Sequence, residues 1–179
     1  MSNMIFLGAH RSNTQIVKDY LTHLRHEKNA SQLTIKVKKW AIEDFLTYCD
    51  LPVAKTKKAH IETWIRYQEE RGVCRNTIVN RLRSIVGPFF NWCVAKHYVS
   101  ANIVTAIIYK PDKPRLKDTP LTDALREKLL PAAKNKRDKL LLYFGPWVGL
   151  RRAELSGARW DKIKDDYSAI LVRGKGDKE

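Results

Sequence analysis

Cysteine is scarce in this sequence of 179 residues, long apolar runs are missing, and acidic residues are too few to balance the basic ones. The three cysteines, Cys49, Cys74 and Cys93, are odd in number and far apart, with no Cys-x-x-Cys or Cys/His spacing. This pattern argues against a metal site and favours a reducing compartment. No apolar run reaches the length of a membrane span and the N-terminus carries no signal-peptide pattern, so we expect a cytoplasmic protein without a membrane partner.

The deficit of acidic residues leaves a strong positive charge. Lysine and arginine number 34 against 19 aspartate and glutamate residues, which gives a net charge of +15. Such an excess favours a polyanionic partner, nucleic acid first and an anionic membrane second. With 44% hydrophobic residues the chain is expected to be globular rather than disordered.

Helical periodicity dominates the first hundred residues. Apolar residues recur three and four positions apart over 15–27, 32–48, 59–71 and 75–97. Ser12 or Thr14 is expected to cap the first helix, and Gly87-Pro88 to interrupt the fourth. The core-facing stripe of the second helix is predicted to contain Leu33, Val37, Trp40, Ala41 and Phe45. Cys93 falls on the inner stripe of the fourth helix, where it is expected to be a core residue.

The pattern predicts three parts: a four-helix bundle over 11–102, a basic linker over 103–120, and a further domain over 121–179. The prolines of 109–120 forbid a regular helix. After the linker we predict a helix capped by Thr122 that ends near 130, a helix over about 136–145, and a strand over 167–173 that enters a glycine turn.

One short motif points to chemistry. Gly149-Leu-Arg-Arg-Ala-Glu-Leu155 places Arg151 and Glu154 three residues apart, hence on one helix face. Lys175 follows in a Gly-Lys-Gly turn. An oriented guanidinium and a mobile ammonium in a basic chain suggest chemistry on a phosphate. Taken alone, the spacing is more typical of a surface ion pair and a solvated turn lysine.

The order of these features resembles the tyrosine recombinases, the phage-integrase family. The resemblance rests on the Gly149–Leu155 motif, on Arg159-Trp-Asp-Lys-Ile163 and Val172-Arg-Gly-Lys-Gly-Asp-Lys178, and on the bundle and linker before them. It implies a mainly α protein: a four-helix SAM-like core-binding bundle followed by an incomplete α+β catalytic domain. It also implies double-stranded DNA as partner, strand cleavage and rejoining through a 3′-phosphotyrosine, no cofactor or metal, and a tetramer on DNA for full-length relatives.

The resemblance assigns roles only at matching positions. Arg151 would hold the non-bridging oxygens of the scissile phosphate, Glu154 would support it, and Lys175 would protonate the departing 5′-hydroxyl. The family's His-x-x-Arg pair and tyrosine nucleophile would follow Lys175, and we assign no nucleophile in these 179 residues. We therefore expect a chain that binds DNA, comes from a prokaryote or phage, and does not recombine DNA alone.

Basic and amide side chains of the bundle and linker are the expected DNA contacts. They are Lys36, Lys39, Arg75, Asn76, Asn80, Arg83, Lys110, Lys113, Arg115 and Lys117. Two alternatives remain open: a stand-alone DNA-binding regulator that occupies recombination sites, and an unrelated helical nucleic-acid-binding protein.

Overall fold

A computed structural model describes residues 11–113, 122–164, 166 and 168–172. The chain divides into two compact units, one ending at Pro114 and the other beginning at Arg115. The described residues are mainly helical, as predicted for the chain as a whole. No helix in the described ranges is both long and apolar enough to cross a membrane.

The first unit contains four helical rods, and the fourth rod runs through three segments. Helix ranges are α1 (Asn13–His26), α2 (Gln32–Cys49), α3 (Lys58–Glu70), α4 (Arg75–Arg81), a π-helical turn (Leu82–Val86) and α5 (Gly87–Ala95). Short 3₁₀ turns lie at Val53–Lys55 and Ile103–Ala106. Four rods joined by short loops confirm the predicted four-helix bundle.

Local sequence explains where these helices begin and end. Ser12, rather than Thr14, caps α1, because its hydroxyl accepts the Gln15 amide at 3.2 Å. Ser31 does the same for α2 with Thr34. Gly72, with φ +73°, follows the end of α3 in the left-handed conformation that glycine adopts without cost. These positions fix the lengths of the rods and hence their packing.

The predicted interruption of the fourth rod takes the form of a π-helical turn. The Gly87 amide donates to the carbonyl of Leu82, five residues back, and Pro88 follows without an amide of its own. A side chain at Gly87 would place Cβ 3.0 Å from that carbonyl oxygen, so any other residue would require the turn to shift by a few tenths of an ångström. The wider turn therefore carries the rod past Pro88 without ending it.

Aromatic side chains from all four rods form the centre of the core. Phe45 and Trp64 meet edge to face with ring centroids 5.5 Å apart, and Phe90 meets Phe45 at 6.1 Å. Tyr20 of α1 contacts Phe89 at 5.3 Å. Edge-to-face pairs stabilise a fold beyond what burial of the rings contributes, so this cluster holds the four rods together.

The predicted inner stripe of α2 was wrong in part. Three of its members are 71%, 48% and 51% exposed: Leu33, Val37 and Trp40. The buried face consists instead of Ile35, Ala41, Ile42, Phe45 and Leu46. Two overlapping apolar stripes share Ala41 and Phe45, and packing against α1 and α3 selects the second stripe.

The second unit is built from shorter pieces. They are α6 (Asp123–Ala132), α7 (Lys136–Leu142), a π-helical turn (Tyr143–Trp147), α8 (Arg152–Ser156) and a 3₁₀ turn (Trp160–Lys162). Thr122 caps α6 as predicted, by accepting the Leu125 amide. Within the described part of the predicted 167–173 strand, the pairing is a single antiparallel bridge between Ile163 and Ile170.

Candidate nucleic-acid interface and phosphate site

Arg151 stands immediately before α8 and is held by Glu154. The Arg151 amide donates to Glu154 Oε2 at 2.8 Å, and its guanidinium donates to Glu154 Oε1 at 2.9 Å. The Arg151 side chain is 79% exposed, whereas that of Glu154 is only 9% exposed. One carboxylate thus fixes both ends of an arginine whose remaining donors face solvent.

The hydrogen bond from the Arg151 amide, and then that from its guanidinium, lower the pKa of Glu154. The carboxylate is therefore charged at neutral pH and cannot leave the guanidinium without losing two charge-assisted bonds. This arrangement orients a cation toward an external anion. Lys175, the predicted second cation, lies outside the described residues, so the pairing of Arg151 with Lys175 stays a prediction.

The first half of α2 presents a basic surface that carries no acidic residue. Lys36 and Lys39 are exposed, and Lys39 Nζ lies 3.8 Å from Glu43 one turn further on. Val37 and Trp40, which sequence reasoning placed in the core, are exposed on the same turns. The lysines that flank Val37 and Trp40 in the sequence could have indicated that these apolar residues are exposed, because cations rarely alternate with the residues of a core face.

Trp40 is joined to α4 through Arg81, a residue that sequence reasoning missed. The Arg81 guanidinium lies 4.5 Å from the Trp40 ring centroid, and it donates to Gln68 Oε1 at 2.7 Å. Gln68 is fully buried and donates in turn to Asp44 at 2.7 Å. A buried amide and an aromatic ring therefore hold Arg81 at the junction of α2, α3 and α4.

Asn80 and Arg83 are exposed, three residues apart on the fourth rod. The side-chain oxygen of Asn80, Oδ1, accepts a hydrogen bond from the Ser84 hydroxyl at 2.9 Å. The side-chain NH₂ group of Asn80 points away from that bond. Both side chains are therefore accessible on the fourth rod.

Arg75 and Asn76, at the start of α4, engage the linker. Arg75 Nε donates to the carbonyl of Lys110 at 2.8 Å, and Asn76 Oδ1 accepts the amide of Asp112 at 2.9 Å. The side chains of Lys110 and Lys113 are exposed beyond these bonds. Two further predicted contacts, Arg115 and Lys117, lie outside the described residues.

The cysteines of the fourth rod differ in burial: Cys74, at the start of α4, is exposed, whereas Cys93 belongs to the core. Cys93 is fully buried, as predicted, and burial raises the pKa of its thiol to about 12. Across the part of the chain that the structure describes, no three His, Cys, Asp or Glu side chains gather as a metal site would require.

Comparison with known proteins finds relatives among the tyrosine recombinases. The chain is 26% identical over 175 residues to tyrosine recombinase XerC of Thermodesulfovibrio yellowstonii, and 27% identical over 181 residues to that of Xanthomonas axonopodis pv. citri. These alignments cover 94% and 91% of the chain. These similarities support a relation to the tyrosine recombinases. No family model matches it.

Solved structures of integrases share the fold. A λ integrase dimer bound to a COC′ core site superposes with a TM-score of 0.73 over 93% of this chain, at 18% identity. The Tn1549 transposon integrase, solved with circular intermediate DNA, gives 0.59 over 90% at 21% identity. The tyrosine recombinase match is partial: the chain spans 57% of the Thermodesulfovibrio protein and 46% of the λ integrase chain.

Proposed function

We propose that this chain is the DNA-binding portion of a site-specific tyrosine recombinase that acts in the cytoplasm of a bacterial cell. The surface formed by α2, α4 and the linker would bind duplex DNA. The complete recombinase would cleave and rejoin strands through a 3′-phosphotyrosine, as a tetramer at paired sites. The observation that carries the proposal is the exposed basic surface of α2 joined to α4 by the Trp40–Arg81 contact.

The chemistry of this surface suits a duplex. Lys36, Lys39 and Arg83 provide charges for phosphates, and Asn80 provides an amide that can pair with a base edge. Leu33 and Val37 offer apolar contact to sugars or thymine methyl groups. Such a mixture of cations, amides and small apolar patches is typical of a DNA-reading surface rather than of an anionic membrane surface.

Arg151 would serve the catalytic centre of the complete enzyme. Glu154 holds its guanidinium from one side, at 2.9 Å, and leaves the other side free for phosphate oxygens. A guanidinium fixed in advance stabilises charge that develops on a phosphate without reorganising during the reaction. By itself it can bind a phosphate but cannot break the phosphodiester bond, which requires a positioned nucleophile.

Duplex binding can be measured by fluorescence anisotropy across a range of salt concentrations. We expect affinity for a mixed-sequence duplex to fall steeply with salt, with a log–log slope of about −0.9 for each phosphate contact. Replacing Lys36 and Lys39 with alanine should reduce the slope by about 1.8. The matched control is Lys18→Ala with Lys28→Ala, which removes the same charge outside the proposed surface. A flat salt response of the unaltered chain would contradict the proposal.

A second function, a DNA-binding regulator that occupies recombination sites, is favoured by one observation. The bundle buries a complete core of its own between Ile16 and Tyr98, so it has the means to bind DNA without a catalytic partner. A regulator would inhibit a recombinase at the same site when the two are mixed. Site-specific binding without inhibition would leave the recombinase portion as the function.

A further inference from the structure

The linker leaves the bundle through a set of contacts that fasten its first residues. We call this set the linker clasp: Glu69, Arg75, Asn76, Tyr109, Lys110 and Asp112. The Tyr109 hydroxyl donates a short hydrogen bond to Glu69, and the Arg75 guanidinium lies 4.2 Å from the Tyr109 ring centroid. Arg75 NH1 also lies 3.7 Å from Glu69 Oε1. The Arg75 guanidinium, the Tyr109 ring and the Glu69 carboxylate therefore contact one another where α3 and α4 meet.

The clasp grips main-chain atoms as well as a side chain. Arg75 donates a hydrogen bond to the main-chain carbonyl of Lys110, and the side-chain oxygen of Asn76 accepts one from the Asp112 amide. Between them stands Pro111, whose ring fixes one backbone torsion. A stretch of four residues is therefore held in one path, although its surface is exposed and its sequence alone is typical of an extended tether.

Burial and the neighbouring carboxylate of Glu69 raise the pKa of Tyr109 to about 12. The phenol is therefore neutral at every physiological pH and remains a donor to Glu69. Ionisation of Tyr109 therefore does not break the contact in ordinary buffers.

We propose that Arg75 and Asn76 are positioning residues: they act on DNA through the linker, by holding Lys110 and Lys113 at fixed places beside the bundle. This inference rests on the proposed DNA-binding function. A free tether would have to lose its conformational freedom when its lysines met the phosphates, whereas a fastened segment has lost that freedom on folding. Direct contact of Arg75 and Asn76 with DNA predicts a different set of mutational effects.

The decisive variant is Tyr109→Ala, because it opens the clasp without changing the charge of the chain. We expect faster hydrogen exchange at the Asp112 amide, measured by NMR without DNA, and a shallower salt dependence of duplex binding. The slope should fall by up to about 1.8, or 0.9 for each of the two lysines that lose a fixed position. The matched control is Ile108→Ala, one residue away, whose side chain is 89% exposed.

A second pair separates positioning from base reading. Asn76→Ala should speed exchange at Asp112 and lower the salt slope, whereas Asn80→Ala, one turn further along, should leave Asp112 exchange unchanged. If Asn76 reads a base instead, its replacement would alter preference among duplex sequences while the exchange rate at Asp112 stayed at the original value. That result would overturn the inference.

The outcomes also distinguish this inference from the proposed function. A steep salt slope in the unaltered chain that Tyr109→Ala leaves unchanged would overturn the role of the clasp and keep DNA binding. A flat slope in the unaltered chain would overturn both, and the exchange rates would still report whether the clasp forms. Circular dichroism of each variant checks that the helices remain folded.

Discussion

The two units use similar apolar residues with opposite results. In the described ranges every buried apolar side chain lies in the first unit, between Ile16 and Tyr98, and the only buried residue of the second unit is the charged Glu154. Leucine and tryptophan occur in both. What differs is helix length: α2 has 18 residues and can present a whole face to its neighbours, whereas α7 has 7 and α8 has 5.

The apolar side chains of the second unit line an open groove instead of a core. Its volume is about 360 Å³, and Leu140, Phe144, Leu155, Trp160 and Ile170 contribute to its walls. Trp160 is 73% exposed. Exposed apolar surface of this kind lowers the stability gained on folding, because the free energy of burial is not realised. The comparison therefore predicts a stable bundle and a weakly stable second unit.

The largest test of this comparison replaces one leucine in each unit. Leu46→Ala should lower the free energy of unfolding of the bundle by about 2–5 kcal/mol, because it leaves a cavity in a closed core. Leu140→Ala, at 41% exposure, should cost the second unit about 1 kcal/mol or less. Urea unfolding followed by residue-resolved NMR separates the two units. Equal losses would show that the second unit has a core after all.

A smaller effect is expected from one arginine-paired aspartate in each unit. Asp44 accepts hydrogen bonds from Trp64, the buried Gln68 and Arg71, so Asp44→Ala should destabilise the bundle by about 2 kcal/mol. Asp161, paired with Arg159 at 2.8 Å on the surface, is the matched control. Asp161→Ala should leave the unfolding midpoint unchanged, since exposed ion pairs contribute little. A loss at Asp161 as large as that at Asp44 would contradict the contrast between the units.

Most helices could be predicted from periodicity and caps, because those signals are local. Ser12, Gly72 and Thr122 mark their helix ends by hydrogen bonding and backbone conformation alone. The face of α2 could not be predicted in the same way. Its sequence carries two apolar stripes, and only the position of its neighbours decides that Ile42 is buried and Val37 is not.

The candidate site likewise contains contacts between residues that are close in sequence and contacts between residues that are far apart in sequence. Arg151 and Glu154 are three residues apart, so their contact could be predicted, although Arg151 precedes α8 and does not lie on a helix face as expected. Arg75 meets Lys110 across 35 residues of sequence, so nothing local signals that contact. The Trp40–Arg81 contact is equally distant. The sequence therefore indicated which side chains are charged, whereas the fold determines which of them already contact other residues of the chain.

The smallest expected effect concerns Glu154 and tests whether the second unit is organised around the buried carboxylate of this residue. The hydrogen bonds from Arg151 lower the pKa of Glu154 in the folded state. A lowered pKa means that the ionised form stabilises the fold above the ordinary pKa of glutamate, and that this contribution is lost as the pH falls through the folded value. Glu154→Gln should remove that part of the acid dependence of the second unit and leave the bundle unchanged. The measurement is a carboxyl NMR titration of Glu154 together with Trp160 fluorescence between neutral and acid pH. Titration of Glu154 at or above the ordinary range of glutamate would mean that Arg151 is not held, and the oriented guanidinium on which the proposed phosphate site depends would be lost with it.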